Sequence, residues 1–311
     1  MHIDRLGVHE SVDAVFPPEE LAEVLSDLDC EVGVVGDDPA ELSACDAVVT
    51  FGPNDAYLDA DLVWIHSIQA GYDHFPLEEF ESRGVVFTNS TGIHDTSVGE
   101  FAVGLMLTFA RRLHDYVRSQ ERREWAHPEW HEPFTLQGER LCVVGLGTLG
   151  RGIAERADAL GMDVVGVRRS GEPTPHTSEV YTPDDLHEAI EDAAFVALAV
   201  PLNDATEGLF GTAEFAAMRE DAYLLNVARG PVVVESELVE ALREGELGGA
   251  GLDVFEEEPL PEDSPLWEMD EVIVTPHRAA AERDYHRHIA ELVRENVERG
   301  ERGEEFVNRI A

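Results

Sequence analysis

Three groups of residues have types and spacings suited to chemistry. The first is the turn GLGTLG, Gly145 to Gly150. Gly145 allows a tight turn, Gly147 lets the backbone approach a pyrophosphate, and Gly150 lets the next helix pack on the preceding strand. The amides of Thr148 and Leu149 at the helix start hold phosphate oxygens. The second group is Arg168, Arg169 and Ser170, at the point where an NAD-binding unit usually carries an Asp or Glu for the ribose hydroxyls. Two guanidiniums and a hydroxyl suit a 2′-phosphate instead, so NADP(H) is the expected cofactor, with NAD(H) possible; two surface arginines in an acid-rich chain are the plainer alternative. The third group comprises NVARGP, GLDVFEEEP and VTPH. Arg229 offers a planar fork to a carboxylate, whereas a His after a strand and a run of Glu are each compatible with ordinary structural or solvated roles.

The elements that must carry these residues follow the rhythm of βαβ units. Glu31 to Val35, Ala47 to Phe51, Leu62 to Ser67 and Gly84 to Thr88 read as strands, with a helix at Pro18 to Ser26. They predict a small first α/β domain. A long apolar helix is expected from Ser97 to about Ser119, with Ser97 and Glu100 forming a capping box. Glu121 to Gln137 is polar and aperiodic, and its Trp125 and Trp130 are candidates for an interface. From Leu141 the pattern is strand, glycine turn, helix and strand, the setting in which GxGxxG has meaning. Strands at Phe195 to Val200, Ala222 to Val227, Gly249 to Val254 and Val272 to Thr275 complete a second sheet, and an amphipathic stretch, Ala279 to Arg299, is expected to return to the first domain. The expected fold is thus α/β with two doubly wound parallel-sheet domains, the second a Rossmann dinucleotide-binding domain. The boundaries are 1–98 with 282–311, and 99–281.

Composition limits the function classes. Asp and Glu number 65 against 22 basic residues, all of them Arg, for a net charge of −43. Nucleic acid is excluded as a partner. The acids recur along the whole chain, and the apolar content of 43% argues against disorder. Such self-repulsion is screened at molar salt, where the Debye length is roughly 3 Å, so the composition reads as halophilic. The longest apolar run, Phe101 to Ala110, is about half of the roughly twenty residues that span a bilayer, so no membrane role is expected. MHIDRLGVHE lacks the basic head and apolar core of a secretory signal, and Cys30, Cys45 and Cys142 have no metal-ligand spacing, which together point to a reducing cytoplasm and no metal site.

Taken in order, these blocks resemble the D-isomer-specific 2-hydroxyacid dehydrogenase family, nearly continuously from Ile65 to Ala281. SIQAGYDHF is similar to that family's substrate loop, SVGEFAVGLML to its VAE-type helix start and PLNDATEGLF to its PLTxxTxxLI segment. GLGTLG is similar to its cofactor loop, and LLNVARG, GLDVFEEEP and TPH to its catalytic blocks. The resemblance implies that Arg229, Glu258 and His277 are catalytic, Glu258 being chosen because it directly precedes Pro259. It places Val200, Pro201, Thr206, Val227, Ala228 and Asp253 along the cofactor, and the backbone amides of Ala70 and Gly71 on the substrate carboxylate. Arg229 would then also face that carboxylate, and His277, held and kept protonated by Glu258, would pass a proton to the carbonyl oxygen.

The implied reaction is reduction of a 2-oxo acid to the D-2-hydroxy acid, reversible at high pH, in a site between the domains. A glyoxylate or hydroxypyruvate reductase is the nearest alternative. Relatives also include corepressors that bind a dinucleotide as redox-sensing scaffolds, and the complete Arg, Glu and His set argues against that role. A homodimer through the cofactor domain and the Trp125 segment is implied as well. Phe101 and Val234 depart from the common His and Asp of relatives, outside the catalytic trio. The chain ends at Ala311 without the regulatory extension of many phosphoglycerate dehydrogenases, which lowers the expectation of that activity.

Overall fold

A computed structural model describes residues 1–311. The chain divides into two compact units, Met1–Ile93 with Ala281–Ala311, and His94–Ala280.

The first unit holds five parallel strands, β1 (Arg5–His9), β2 (Glu31–Val35), β3 (Ala47–Thr50), β4 (Trp64–Ser67) and β5 (Val86–Thr88), in the order β2-β1-β3-β4-β5. The alternation of side chains along each strand sorts them into two cores. Leu6, Val8, Ala47, Val49 and Trp64 pack with Leu21, Leu25, Ile289 and Val293 on one face. Val35, Val48, Ile65 and Phe87 pack with Leu42, Tyr57 and Phe80 on the other. The helix Tyr285–Arg302 supplies much of the first core, so the amphipathic C-terminal stretch does return to this unit, though its helix starts at Tyr285 rather than Ala279. β1 has no counterpart among the expected strands, because its short run is flanked by Arg5 and His9 and carries a glycine at its centre.

The second unit holds seven parallel strands in the order β12-β11-β10-β9-β6-β7-β8. They are β6 (Arg140–Val144), β7 (Asp163–Val167), β8 (Glu179–Tyr181), β9 (Phe195–Leu198), β10 (Tyr223–Asn226), β11 (Gly249–Leu252) and β12 (Val272–Val274). Again both faces are covered, Cys142, Val144 and Val165 facing one core and Leu141, Val143 and Val164 the other. β8, short and only partly buried, is the strand the sequence pattern does not announce.

The expected long helix from Ser97 is in fact two helices, Asp95–Ala110 and Leu113–Arg122. At the break the Ala110 carbonyl accepts the Phe134 amide at 2.8 Å, and Arg112 turns left-handed with φ 54°. The capping box does not form either: His94 precedes the helix, and the Ser97 hydroxyl donates to the His94 carbonyl at 3.4 Å. The Asp95–Ala110 helix lies backbone to backbone against the helix Thr148–Ala159. A Cβ on Gly152 would sit 2.1 Å from the Asp95 oxygen, and one on Gly99 would sit 2.6 Å from the Gly152 oxygen. That contact draws the whole helix into the second unit, so the chain crosses at 93/94 rather than 98/99. No helix is long and apolar enough to cross a membrane. The three cysteines are free thiols, and burial pushes Cys142 up to about 12.

Candidate active site

In the second unit the residues singled out above lie at or just past the carboxyl ends of parallel strands. From β6 the chain passes to β7 on one side and returns through β9 on the other, and such a reversal opens a crevice where open α/β sheets bind ligands. The glycine turn sits there. Gly145 has φ 99°, and a Cβ on it would lie 2.6 Å from the Ala199 oxygen beyond β9. A Cβ on Gly150 would lie 1.8 Å from the Gly145 oxygen, so neither position admits a side chain. Gly147 differs, since no atom lies within 4 Å of where its Cβ would stand. The protein's own packing does not demand that glycine; close approach of a phosphate does. Gly147 also precedes the helix Thr148–Ala159 without a side-chain cap, leaving the first-turn amides to an outside acceptor. The turn therefore fits a dinucleotide pyrophosphate.

Past β7, the Arg168 amide donates to the Tyr181 carbonyl at 3.0 Å and its guanidinium donates to the Thr174 hydroxyl at 3.2 Å. Arg169 and Ser170 are exposed, and in a chain with 65 acidic residues neither Arg168 nor Arg169 forms an ion pair. Past β9, the Thr206 hydroxyl donates to the Pro201 carbonyl at 2.6 Å and accepts the Asn203 amide at 2.9 Å, which fixes the turn that follows Val200.

Three turns beyond β10, β11 and β12 carry the charged groups. Asn226, which the sequence reading did not single out, organises the first: its side chain accepts the Ala228 amide at 3.1 Å and donates to the Arg229 carbonyl at 3.0 Å. An Asn at the end of an apolar strand is the signal for such a turn. Val227 and Ala228 are buried beneath it. Gly230 then meets the second turn backbone to backbone, because a Cβ on it would overlap the Phe255 oxygen at 1.8 Å.

The second turn separates the three glutamates. Glu256 accepts the Glu235 amide at 2.9 Å and so ties this turn to the start of the helix Glu235–Glu244. Glu258 accepts the Phe255 amide at 3.1 Å with one oxygen and lies 2.8 Å from Nδ1 of His277 with the other. Burial raises its pKa, but the hydrogen bond and charge of His277, the Phe255 amide and the charge of Arg229 outweigh that, and the carboxyl sits below its ordinary value. His277 itself has φ 52°. Its amide donates to the Asp253 carbonyl at 2.8 Å, and the buried Asp253 carboxylate accepts the Arg278 and Ala279 amides and the Thr275 hydroxyl at 2.7 to 2.9 Å. Burial still lifts Asp253 above the usual carboxylate range, against the pull of those donors. In this arrangement Asp253 braces the turn bearing His277.

Ala70 and Gly71 belong to the first unit, in the loop that follows β4. Gln69 anchors that loop, its side chain donating to the Phe51 carbonyl at 2.6 Å and its amide to the Ser67 hydroxyl at 3.2 Å.

The sequence of residues 103–279 matches the model of the D-isomer specific 2-hydroxyacid dehydrogenase, NAD binding domain. The chain belongs to that family. A glyoxylate reductase of Korarchaeum cryptofilum is 35% identical over 271 residues, spanning 84% of this chain and 81% of that protein. The D-isomer specific 2-hydroxyacid dehydrogenase of Xanthobacter autotrophicus, solved in complex with NADPH and MES, superposes with a TM-score of 0.82 at 29% identity, covering 99% of this chain and 98% of that one. The NADPH-dependent glyoxylate/hydroxypyruvate reductase of Sinorhizobium meliloti, solved with NADP and sulfate, gives a TM-score of 0.84 at 28% identity, with the same coverage. This D-2-hydroxyacid dehydrogenase is accordingly an NAD(P)-dependent oxidoreductase with two parallel α/β domains.

Proposed function

We propose that this dehydrogenase reduces a small 2-oxo acid to the D-2-hydroxy acid with NADPH, reversibly, using Arg229, Glu258 and His277. Bound NADPH supplies the hydride. The reading rests most on one observation, the 2.8 Å contact of His277 Nδ1 with an ionised Glu258, whose turn packs backbone to backbone on the turn of Arg229. With Nδ1–H donated to that carboxylate, Nε2 is the ring atom left to exchange a proton with the substrate oxygen. As the carbonyl oxygen gains charge, His277 gives it a proton; in oxidation the same nitrogen takes the proton back. Arg229 clamps the substrate carboxylate and polarises the neighbouring carbonyl, and the Ala70 and Gly71 amides bind the carboxylate oxygens.

Arg168, Arg169 and Ser170 bind the 2′-phosphate, which accounts for two arginines left without carboxylate partners. The first-turn amides at Thr148 and Leu149 take the pyrophosphate, while Val200, Pro201, Thr206, Val227, Ala228 and Asp253 line the rest of the dinucleotide. Glyoxylate and hydroxypyruvate are the first substrates to try, because relatives at this identity carry those names. The test is loss of NADPH absorbance over a panel of 2-oxo acids from glyoxylate to phenylpyruvate, ranked by kcat/KM with both cofactors. Turnover with none of them would favour a dinucleotide-sensing scaffold.

We also read the protein as a homodimer through the cofactor unit. Trp125 and Trp130 are 93% and 90% exposed, Trp130 meeting just the edge of the neighbouring His131 ring at 5.6 Å, and Val117 on the preceding helix is exposed too. Sedimentation of the wild type against a Trp125→Ser, Trp130→Ser double variant tests this, and a monomer in both would exclude it.

A further inference from the structure

The substrate loop of the first unit is held from behind by an amide relay that none of the catalytic assignments uses. Asn89 follows β5 and is buried to 1% exposure. Its side-chain nitrogen donates to the Ala70 carbonyl at 2.6 Å, and its side-chain oxygen accepts the Thr91 amide at 3.2 Å. The neighbouring Ser90 amide donates to the Gln69 carbonyl at 3.0 Å. Two successive carbonyls of the loop are thereby fixed by two successive residues of the next strand's end. The peptide that carries the Ala70 carbonyl also carries the Gly71 amide, so a bond to that oxygen sets the direction in which the N–H points.

The relay continues into the last residues of the chain. Asn308 has φ 55°, a left-handed conformation that Asn tolerates better than most residues. Its side-chain nitrogen donates to the Asn89 carbonyl at 3.2 Å and to the Thr91 carbonyl at 2.6 Å, while its own carbonyl accepts the Asn89 amide at 3.2 Å. On either side, Asn296 exchanges hydrogen bonds with Val307, and Arg309 bridges Thr88 antiparallel to β5. Asn89 is thus clamped on its backbone by Asn308, and its side-chain amide is the one group passed forward to the loop.

We infer that Asn89 is a positioning residue for substrate-carboxylate binding: it aims the Gly71 amide, and Asn308 holds Asn89 in place to do so. This rests on the proposal that the Ala70 and Gly71 amides bind the carboxylate. Asn89→Asp is the discriminating variant, since it keeps the oxygen that the Thr91 amide needs and replaces only the donor to Ala70 with an oxygen that repels the carbonyl. KM for the 2-oxo acid and Kd for oxamate, an unreactive 2-oxo-acid analogue, should both rise about tenfold, the scale of one buried hydrogen bond lost. Kd for NADPH should not move. Asn308→Gly, which keeps the left-handed backbone and removes both amide donors, should shift the same two quantities in the same direction by less.

Amide NMR spectra of the full-length NADPH complex separate the two levels. Oxamate should shift the Ala70 and Gly71 signals of the wild type. Signals that stay put would overturn the carboxylate-binding reading and the inference with it. Signals that shift in the wild type, with unchanged oxamate affinity in a stably folded Asn89→Asp protein, would overturn the role of Asn89 alone. A variant that loses NADPH affinity and thermal stability together with oxamate affinity would show a merely structural role and also contradict the inference.

Discussion

Glu258 and His277 meet at 2.8 Å, and the carboxyl of that pair is held below its ordinary value by the imidazole and the Phe255 amide despite partial burial. A depressed carboxylate pKa stabilises the fold above the unfolded value and loses that contribution as pH falls through the folded one, so the contribution of this carboxylate is lost in acid, below about pH 4. The same carboxylate accepts from Nδ1 and leaves Nε2 as the ring nitrogen that can exchange a proton. Glu258→Gln removes the charge while keeping the shape. The reductive kcat/KM of the variant should therefore fall, and its active pH range should narrow. A kcat/KM profile measured from acid to alkaline pH shows this, and superimposable profiles would mean the pair has no part in proton transfer.

The cofactor assignment predicts an asymmetry. Replacing Arg168 and Arg169 together by uncharged residues should raise KM for NADPH by about tenfold or more, the scale of charge-assisted hydrogen bonds lost, and leave KM for NADH nearly unchanged. Steady-state kinetics with both cofactors decide it. Equal losses would assign the arginines to the shared part of the dinucleotide or to the fold.

Salt supplies a prediction from charge alone. With 65 acidic residues and 22 arginines, the surface repels itself, and only part of that is paired internally. The arginines there do bridge: Arg302 binds both Glu298 and Glu304, and Arg219 grips Asp221 with two nitrogens. Tm and activity should both rise from dilute buffer to molar KCl as the remaining repulsion is screened. Screening of the substrate attraction proposed for Arg229 works the other way, but it is one contact against a whole surface. A Tm that stays flat or falls would end the halophilic reading without touching the enzyme assignment.

Most of the candidate site is legible in the sequence because strand ends and glycines leave strong local marks. The turn at Gly145 to Gly150, the arginines after β7 and the NVARG, EEEP and TPH turns all lie beside unbroken apolar strands, where position along the chain fixes position on the sheet edge. What the sequence hid is tertiary. The helix break at Arg112 depends on the Phe134 amide taking the Ala110 carbonyl from a distant segment. β1 is too polar at its ends, and β8 too short and too exposed, to stand out. The choice of Glu258 over Glu256 acquires a physical basis only when Glu256 is seen bound to the Glu235 amide. Asn226 and Asn89 act through side-chain bonds to backbone, and Thr275 through its hydroxyl on the Asp253 carboxylate, none of which periodicity reports.

In the proposed reaction His277 is the proton donor, and kcat for His277→Ala with NADPH and the best 2-oxo acid reads that role. General acid catalysis is worth about 10²- to 10⁴-fold, so the variant should lose that much in kcat while NADPH affinity, followed by fluorescence, stays near the wild-type value. A folded His277→Ala enzyme turning over at nearly the wild-type rate would contradict the account and move the acid to another group.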